Sequence, residues 1–299
     1  MKSLDRIENF LEVVKNQSFA KAARILGLTG PAVSKQVMAL EEDLGVKLLH
    51  RTTRQVTLTE EGGLYYDRVR LAVEELKDAA AEIQDRKSSP RGLLRVNAPA
   101  SFGKMHLLPV FSGFAKKYPD VTLEVIFEDR MIDVMADGYD IVIRIGTPPD
   151  SSLVCRTLAA APSVVVASPA YLQAHGTPET PADLKRHRMI AYTYHGGSSE
   201  WKYQDKRGHA GSFRAPGIFR ANNAEMMREA ALDGVGIAVL PLFSVKTYID
   251  AGRLTPLLTD YTTAPQRAIL ALMPPNRHRA AKVQLFLDWL AQSCKAMPI

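Results

Sequence analysis

The residues of this 299-residue chain best suited to chemistry fall into two groups, and neither has the look of a catalytic centre. In the first, Thr29, Gly30 and Pro31 lead into Ser34 and Lys35, and Arg51, Thr53 and Arg54 follow in the run Arg51-Thr52-Thr53-Arg54. Hydroxyl groups and cations at this density donate hydrogen bonds to phosphate oxygens and base edges. In the second group, polar or small residues stand just beyond apolar runs: Ala100 and Ser101, Glu128 and Arg130, Gly146 and Thr147, Tyr194 and His195, and Asn222. In an open α/β sheet these are the places where a small ligand meets strand ends and the N–H groups of helix N-termini. Ser101 is the best single candidate for such a contact. Ser101 and Asn222 are also natural helix caps, and capping alone requires the same geometry as capping with binding. His195 suits either a ligand contact or a half-buried ring with a satisfied hydrogen bond. Arg130 either holds an anion or is solvated.

Other chemistries lack their parts. The chain has no glycine-rich phosphate loop, no nucleophile elbow and no close His or Cys cluster of metal-ligand spacing; His187, His195 and His209 match no zinc pattern. No catalysis, metal or cofactor is expected. Cys155 and Cys294 are too far apart in sequence for a redox motif and read as inert thiols. A hydrophobic fraction of 46% and a charged fraction of 23% are those of a soluble globular protein, while a net charge of +6 favours a polyanionic partner only weakly. The first eight residues are too charged for a secretory signal, and the longest apolar stretch, near Leu158 to Ala167, contains a proline and is too short to span a bilayer. A cytoplasmic protein with no membrane contact is expected.

The elements that must position the first group are short helices and a hairpin. Ser18 starts a helix in which Ala20, Ala22, Ala23 and Ile25 form a small apolar surface, and Gly27 ends it. Thr29 or Gly30 caps the next helix, with Pro31 in its first turn. Val33, Val37 and Leu40 give that helix an inward face, opposite Ser34, Lys35 and Met38. Two helices joined by a glycine turn, the second presenting hydroxyl and cationic groups, form the arrangement that enters a major groove. Val46 to His50 and Gln55 to Leu58 then read as a hairpin, or wing, with the two arginines at its tip.

From Thr59 a long helix runs to about Arg86, with Tyr65, Val69, Ala72, Leu76, Ala79 and Ile83 at alternating steps of four and three. That is a coiled-coil seam or the inner face of a helix packed on its own domain. Residues 88–92 read as a hinge. Beyond them strands and helices alternate, implying a largely parallel sheet: strand to Ala98, helix Ser101 to Lys117, strand Val121 to Phe127, helix near Asp133 to Ala136, strands Asp140 to Ile145 and Ser163 to Ala167. Helix Ala224 to Leu232, for which Asn222-Asn223 and Glu225 suggest a capping box, strand Gly236 to Leu240 and helix Val283 to Gln292 follow.

The strings Ser18-Phe19-Ala20-Lys21-Ala22-Ala23, Ala32-Val33-Ser34, Leu40 to Arg51 and Leu58-Thr59-Glu60-Glu61-Gly62 together resemble the LysR-type transcriptional regulators, as do Asp140 to Gly146 and Gly234 to Pro241 further on. The resemblance spans nearly the whole chain. It implies a winged helix-turn-helix over 1–58, a linker and dimerisation helix over 59–87, and an α/β effector-binding domain over 93–299 that folds like a periplasmic solute-binding protein. One lobe would comprise 93–162 and 266–299 and the other 163–265, with crossings near Pro162 and Pro265 and the effector in the cleft. The implied partners are a double-stranded DNA operator, a small-molecule effector, and a second copy through the linker helix. Tetramers are common in the family, and RNA polymerase is a candidate partner. Many members carry glutamine where this chain has Gly30, so base preference is expected to differ.

Overall fold

A computed structural model describes residues 2–51, 56–84, 90–130, 132–193, 200–214, 217–278 and 280–296. The chain forms two compact units, Met1–Ser88 and Ser89–Ile299. In the first, α1 (Lys2–Asn16), α2 (Phe19–Leu26) and α3 (Gly30–Leu44) close over Phe10, Val13, Ala22, Ala23, Val33, Val37 and Leu40. Strands β1 (Leu49–Arg51) and β2 (Val56–Leu58) pair antiparallel, Leu49 opposite Leu58. Helix α4 (Glu60–Gln84) follows, and Phe10 packs on its Tyr65 and Tyr66 with ring centroids 5.8 and 6.3 Å apart. Tyr65 therefore packs, half-buried, against the core of its own unit. Half-buried Val69 and exposed Ala72 and Leu76 continue the periodic face.

The second unit is built on two five-stranded sheets. The first contains β3 (Gly92–Ala98), followed by α5 (Ala100–Phe102), a single π-helical stretch Gly103–Leu107 and α6 (Leu108–Lys117), then β4 (Val121–Phe127), β5 (Ile141–Gly146) and β6 (Val154–Ala160). The chain crosses over at Ala161 and Pro162 into β7 (Ser163–Ala167), α7 (Pro169–His175), β8 (Met189–Tyr192), a hairpin of β9 (Glu200–Asp205) and β10 (Ala210–Arg214), β11 (Gly217–Ala221), α8 (Ala224–Leu232), β12 (Ile237–Pro241), α9 (Leu242–Asp250), β13 (Thr255–Leu257) and β14 (Tyr261–Thr263). It returns past Ala264 and Pro265 to β15 (Ala268–Met273) in the first sheet, and α10 (Ala281–Ala296) closes on that sheet. The strand orders are β4-β3-β5-β15-β6 and β11-β8-β12-β7-β13, with β14 adding to the β9–β10 hairpin.

Neither sheet is as parallel as the strand–helix rhythm suggests. Strands β3, β4 and β5 are mutually parallel, but the returning β15 lies antiparallel between β5 and β6. Strands β6, β9 and β10 alternate exposed with more buried positions and so carry no continuous buried run for the sequence to display. No helix forms at Asp133 to Ala136. Asp133 Oδ1 instead accepts the N–H groups of Met135 and Ala136 at 3.0 Å each, a local turn that an aspartate offers in competition with helix. On α2, Ala22 and Ala23 are buried but Ala20 and Ile25 are exposed, so the crossing surface is narrower than the alanine content implies.

Candidate nucleic-acid interface and ligand cleft

In the first unit the cap residues fall where their chemistry requires. Ser18 Oγ accepts from Lys21 N–H at 3.3 Å and opens α2, and Gly27, with φ of 66°, ends it in the left-handed region that a side chain disfavours. Thr29, rather than Gly30, caps α3: its Oγ1 accepts from Ala32 N–H at 3.4 Å. Because Val33 and Val37 are fully buried, the helix cannot turn about its axis, and Pro31, Lys35 and Met38 must face out, with Ser34 half-buried at the margin. The first turn of α3 holds no acidic residue, so the positive end of the helix dipole is left for an anion. A Cβ on Gly30 would meet nothing within 4 Å, so a side chain there would project into open space.

The wing is tied to α3 by one buried carboxylate. Glu41 Oε1 accepts the N–H groups of Leu48 and Leu49 at 3.0 and 3.2 Å, and Oε2 pairs with Lys47 Nζ at 3.0 Å. Thr59 Oγ1 donates to Lys47 O at 2.7 Å and accepts from Gly62 N–H at 2.9 Å, joining the far side of the wing to α4. A Cβ at Gly62 would fall inside the Leu48 carbonyl, so only glycine lets helix and wing approach this closely. Arg51 ends β1; Thr53 and Arg54 lie outside the described residues. Exposed Lys21 and Arg24 on α2 add two cations that a reading focused on α3 passes over.

In the second unit, the parallel strands β3, β4 and β5 end on one side, where Ala100, Ser101, Glu128 and Arg130 lie. Ser101 is buried but does not cap its own helix. Its Oγ accepts instead from Glu225 N–H at 3.4 Å, at the start of α8 in the other lobe. Ala100 N–H donates to Asp129 Oδ1 at 3.2 Å, while Asp129 Oδ2 accepts from Asn223 Nδ2 at 3.3 Å, again across the lobes. Lys104 and Glu225 add an ion pair at 3.4 Å. The cap of α8 is Asn223, one residue later than Asn222, and its Oδ1 accepts from Glu225 and Met226 N–H. Glu225 therefore occupies the second helical position, where no capping box forms, and Asn222 is exposed.

Glu128 accepts from Asn97 Nδ2 (3.1 Å), Tyr139 OH (3.3 Å) and Arg130 Nε (2.6 Å). Arg130 also faces Asp137 at 3.6 Å, so its charge is met within its own lobe. Gly146 and Thr147 close β5, Thr147 exposed, and Tyr194 and His195 lie outside the described residues. Sequence reasoning passed over Asn97, Asp129, Arg144 and Arg267, and named Asn223 only as a cap. The one signal available was Arg144, an arginine inside the apolar run of β5. Both thiols are free, and burial pushes Cys294 up to about 11 and raises Cys155, leaving neither as a nucleophilic thiolate at neutral pH.

Residues 4–63 match the model of the bacterial regulatory helix-turn-helix proteins of the lysR family, and residues 87–295 match the LysR substrate binding domain. The chain belongs to the LysR family. This LysR-type transcriptional regulator thus joins a helix-turn-helix DNA-binding domain to an effector-binding domain, in a family whose DNA binding is typically modulated by effectors. It is 35% identical to the regulator PtxR of Pseudomonas aeruginosa over 97% of this chain and 92% of that protein. It is 34% identical to CrgA of Neisseria meningitidis over 95% and 94% of the two chains. The solved structure of CrgA, a LysR-type transcriptional regulator, superposes with a TM-score of 0.61 at 33% identity, covering 97% of this chain and 98% of that one. The full-length Vibrio cholerae virulence activator AphB gives 0.60 at 28%, over 97% and 98%. Among the described residues, no helix is long and apolar enough to cross a membrane.

Proposed function

We propose that this regulator binds operator DNA as a homodimer and that a small molecule entering the cleft of its second unit changes how the DNA is bent. The observation that carries the DNA reading is the fixed presentation of α3, whose buried Val33, Val37 and Leu40 leave Pro31, Ser34 and Lys35 on the opposite side. Thr29, Gly30, Pro31, Ser34 and Lys35 contact bases in the major groove, and Arg51, Thr53 and Arg54 anchor phosphates or the minor groove. The apolar positions Val69, Ala72 and Leu76 of α4, Leu76 being 56% exposed, serve the partner helix. Two winged units then meet half-sites about one helical turn apart or a multiple of it. Dimers pair further into tetramers, RNA polymerase is a further partner, and the protein works in the cytoplasm without catalysing a reaction.

Effector binding draws on Ala100, Ser101, Glu128, Gly146, Thr147, Tyr194, His195 and Asn222, with Arg130 holding Glu128 in place. Its support is the set of bonds that already run between the lobes, Ser101 to Glu225 and Asp129 to Asn223. A ligand displacing them acts on both lobes at once. The test is salt-titrated binding to a genomic DNA library, with bound fragments sequenced. Enrichment of pseudo-palindromic sites is expected; binding no better than to bulk DNA, and abolished by salt, would overturn the operator reading. Arg51→Ala or Arg54→Ala should lower the salt slope by about one unit per lost phosphate contact, and Lys35→Ala should relax discrimination between sites.

A further inference from the structure

Among the described residues of the first unit, several large apolar side chains stand exposed, and one of them, Met38, lies on the outer face of α3 with 42% of its surface open. Ile25 and Leu28 belong to α2 and the turn after it, Val46 to the turn after α3, and Leu64 and Leu76 to α4. Leu44, seven residues after buried Val37, ends α3 on its inner side. Pro31, Ser34, Lys35 and Met38 recur at the spacing of a single helical stripe. That stripe is held outward because Val33, Val37 and Leu40 are buried on the other side.

The charges of α3 decide how much of the stripe can lie against DNA. From Gly30 to Leu40 the charged residue is Lys35, whereas Glu41, Glu42 and Asp43 beyond it are all acidic. Glu41 pairs with Lys47 and Asp43 with Arg6. Exposed Glu42 continues the stripe one turn past Met38, where phosphate oxygens would meet a like charge. Met38 is therefore the last residue of the stripe on which DNA can rest. Pro31 and Met38 are two turns apart, about 10 Å along the axis, within the span of a major groove roughly 12 Å wide. A long helical side chain leans back toward the N-terminus, so Met38 covers the turn of Ser34 and Lys35 rather than the acidic one.

We propose that Met38 is a specificity-determining residue of the operator contact, and that it reads the C5-methyl group of a thymine in each half-site. This rests on the operator reading above and adds an apolar contact to its hydroxyl and cationic ones. In the major groove a thymine presents a methyl group that no other unmodified base carries, and apolar contact is what recognises it. A thioether has no donor and is only a weak acceptor, so a polar base edge facing Met38 would lose its water with little in return. The unbranched chain, with three rotatable bonds, settles on the methyl without displacing its neighbours on the stripe.

The test uses the full-length protein and an operator recovered by the sequencing experiment above. Each thymine of one half-site is replaced in turn by uracil, which removes the methyl and leaves every hydrogen-bonding group in place. Kd is then measured by competition gel shift at one salt concentration. For the wild type, one position should cost about fourfold in affinity, the worth of one buried methyl. Met38→Ala should bind the unmodified operator more weakly and be indifferent to uracil at that position, while responding as the wild type does elsewhere. Its salt slope should not change, because no phosphate contact is lost. Alanine is a better helix former than methionine, so Tm should hold and the loss is not one of folding. Met38→Leu, apolar and of similar volume, should restore the sensitivity. Uracil costs that are the same in wild type and Met38→Ala at every position would overturn the proposal and leave the operator reading standing. Failure to enrich any operator would remove that reading, and the role of Met38 with it.

Discussion

The two units position their functional groups in opposite ways. In the winged unit, one uninterrupted stretch from Ser18 to Leu44 supplies the caps, the buried face that orients α3, and the side chains it presents. In the second unit, the cleft is assembled from ends of strands and helices that meet only after two chain crossings, and its bonds join residues as distant as Ser101 and Glu225. The first arrangement is rigid because its geometry is local and its core fixes the helix. The second is held by polar contacts between lobes whose apolar clusters, around Phe114 and Phe286 on one side and around Trp201 and Val166 on the other, are bridged by Phe243 of α9, which packs on Phe102 of the first cluster. Damage to the first should therefore abolish binding, while damage to the second should change the response and spare the binding.

The sharpest way to break that contrast is at the wing root. Gly62→Val forces a side chain into the Leu48 carbonyl and is expected to cost about 3 kcal/mol or more, with loss of operator binding, as read by denaturant titration and gel shift. Glu41→Ala leaves the N–H groups of Leu48 and Leu49 without their acceptor in a buried place and should cost about 2 kcal/mol, again with weakened binding. In the second unit, Asp129→Asn weakens the link between Ala100 and Asn223. It should cost about 1 kcal/mol, leave operator affinity without effector unchanged and alter the effector response. If Asp129→Asn weakened DNA binding as strongly as Glu41→Ala does, the two units would not differ as argued.

A smaller effect concerns His106, on the π-helical stretch, whose ring lies 5.4 Å from those of Phe102 and Phe243 and whose buried Nε2 has no partner among the described residues. Burial lowers its pKa below the ordinary 6.5, with a backbone contact to Phe243 opposing in part. Below the unfolded value the denatured chain takes up a proton that the folded chain resists. The stability from the neutral ring is therefore complete above about pH 6.5 and lost as pH falls toward the folded value. His106→Phe should flatten the pH dependence of Tm across that window while leaving Tm at pH 8 nearly unchanged. The smallest change in stability is expected for Gly30→Gln, within about 0.5 kcal/mol, because its side chain meets open space. Its effect should appear in the sequenced operator sites, as a shifted base preference with no loss of fold.

The same contrast governs what could be read from the residues alone. The helix-turn-helix was legible because Thr29, Val33, Val37 and Lys35 lie within two turns of each other and their spacing fixes which side each takes. The positions of Ala100, Ser101 and Glu128 at strand ends were also legible, since each follows an apolar run. Their partners were not. Nothing near Ser101 indicates that its hydroxyl serves a helix 124 residues away, and Asp129 and Asn223 become a pair only when both lobes are formed. At Asn222 and Asn223 two equally good caps stood side by side, and the start of α8 chose the second. Strand β15 hid the sheet's mixed character because its direction depends on the return crossing, which no local pattern records.

The π-helical stretch Gly103–Leu107 carries a consequence for how chains of this kind diverge. Such a turn holds one residue more than the α-helical turn it replaces, so it is in effect an insertion that the fold has absorbed. Deleting one residue between Gly103 and Leu107 would close the wide turn to an α-helical one and remove one side chain there, while Ala100 and Ser101 keep nearly their facing relative to α6. A single codon lost there would change which side chains stand beside the Ser101–Glu225 contact, leaving the buried Phe114 of α6 and the sheet beneath in place. Length at this one turn is thus a route by which the side chains beside Ser101 can change without redesigning the core.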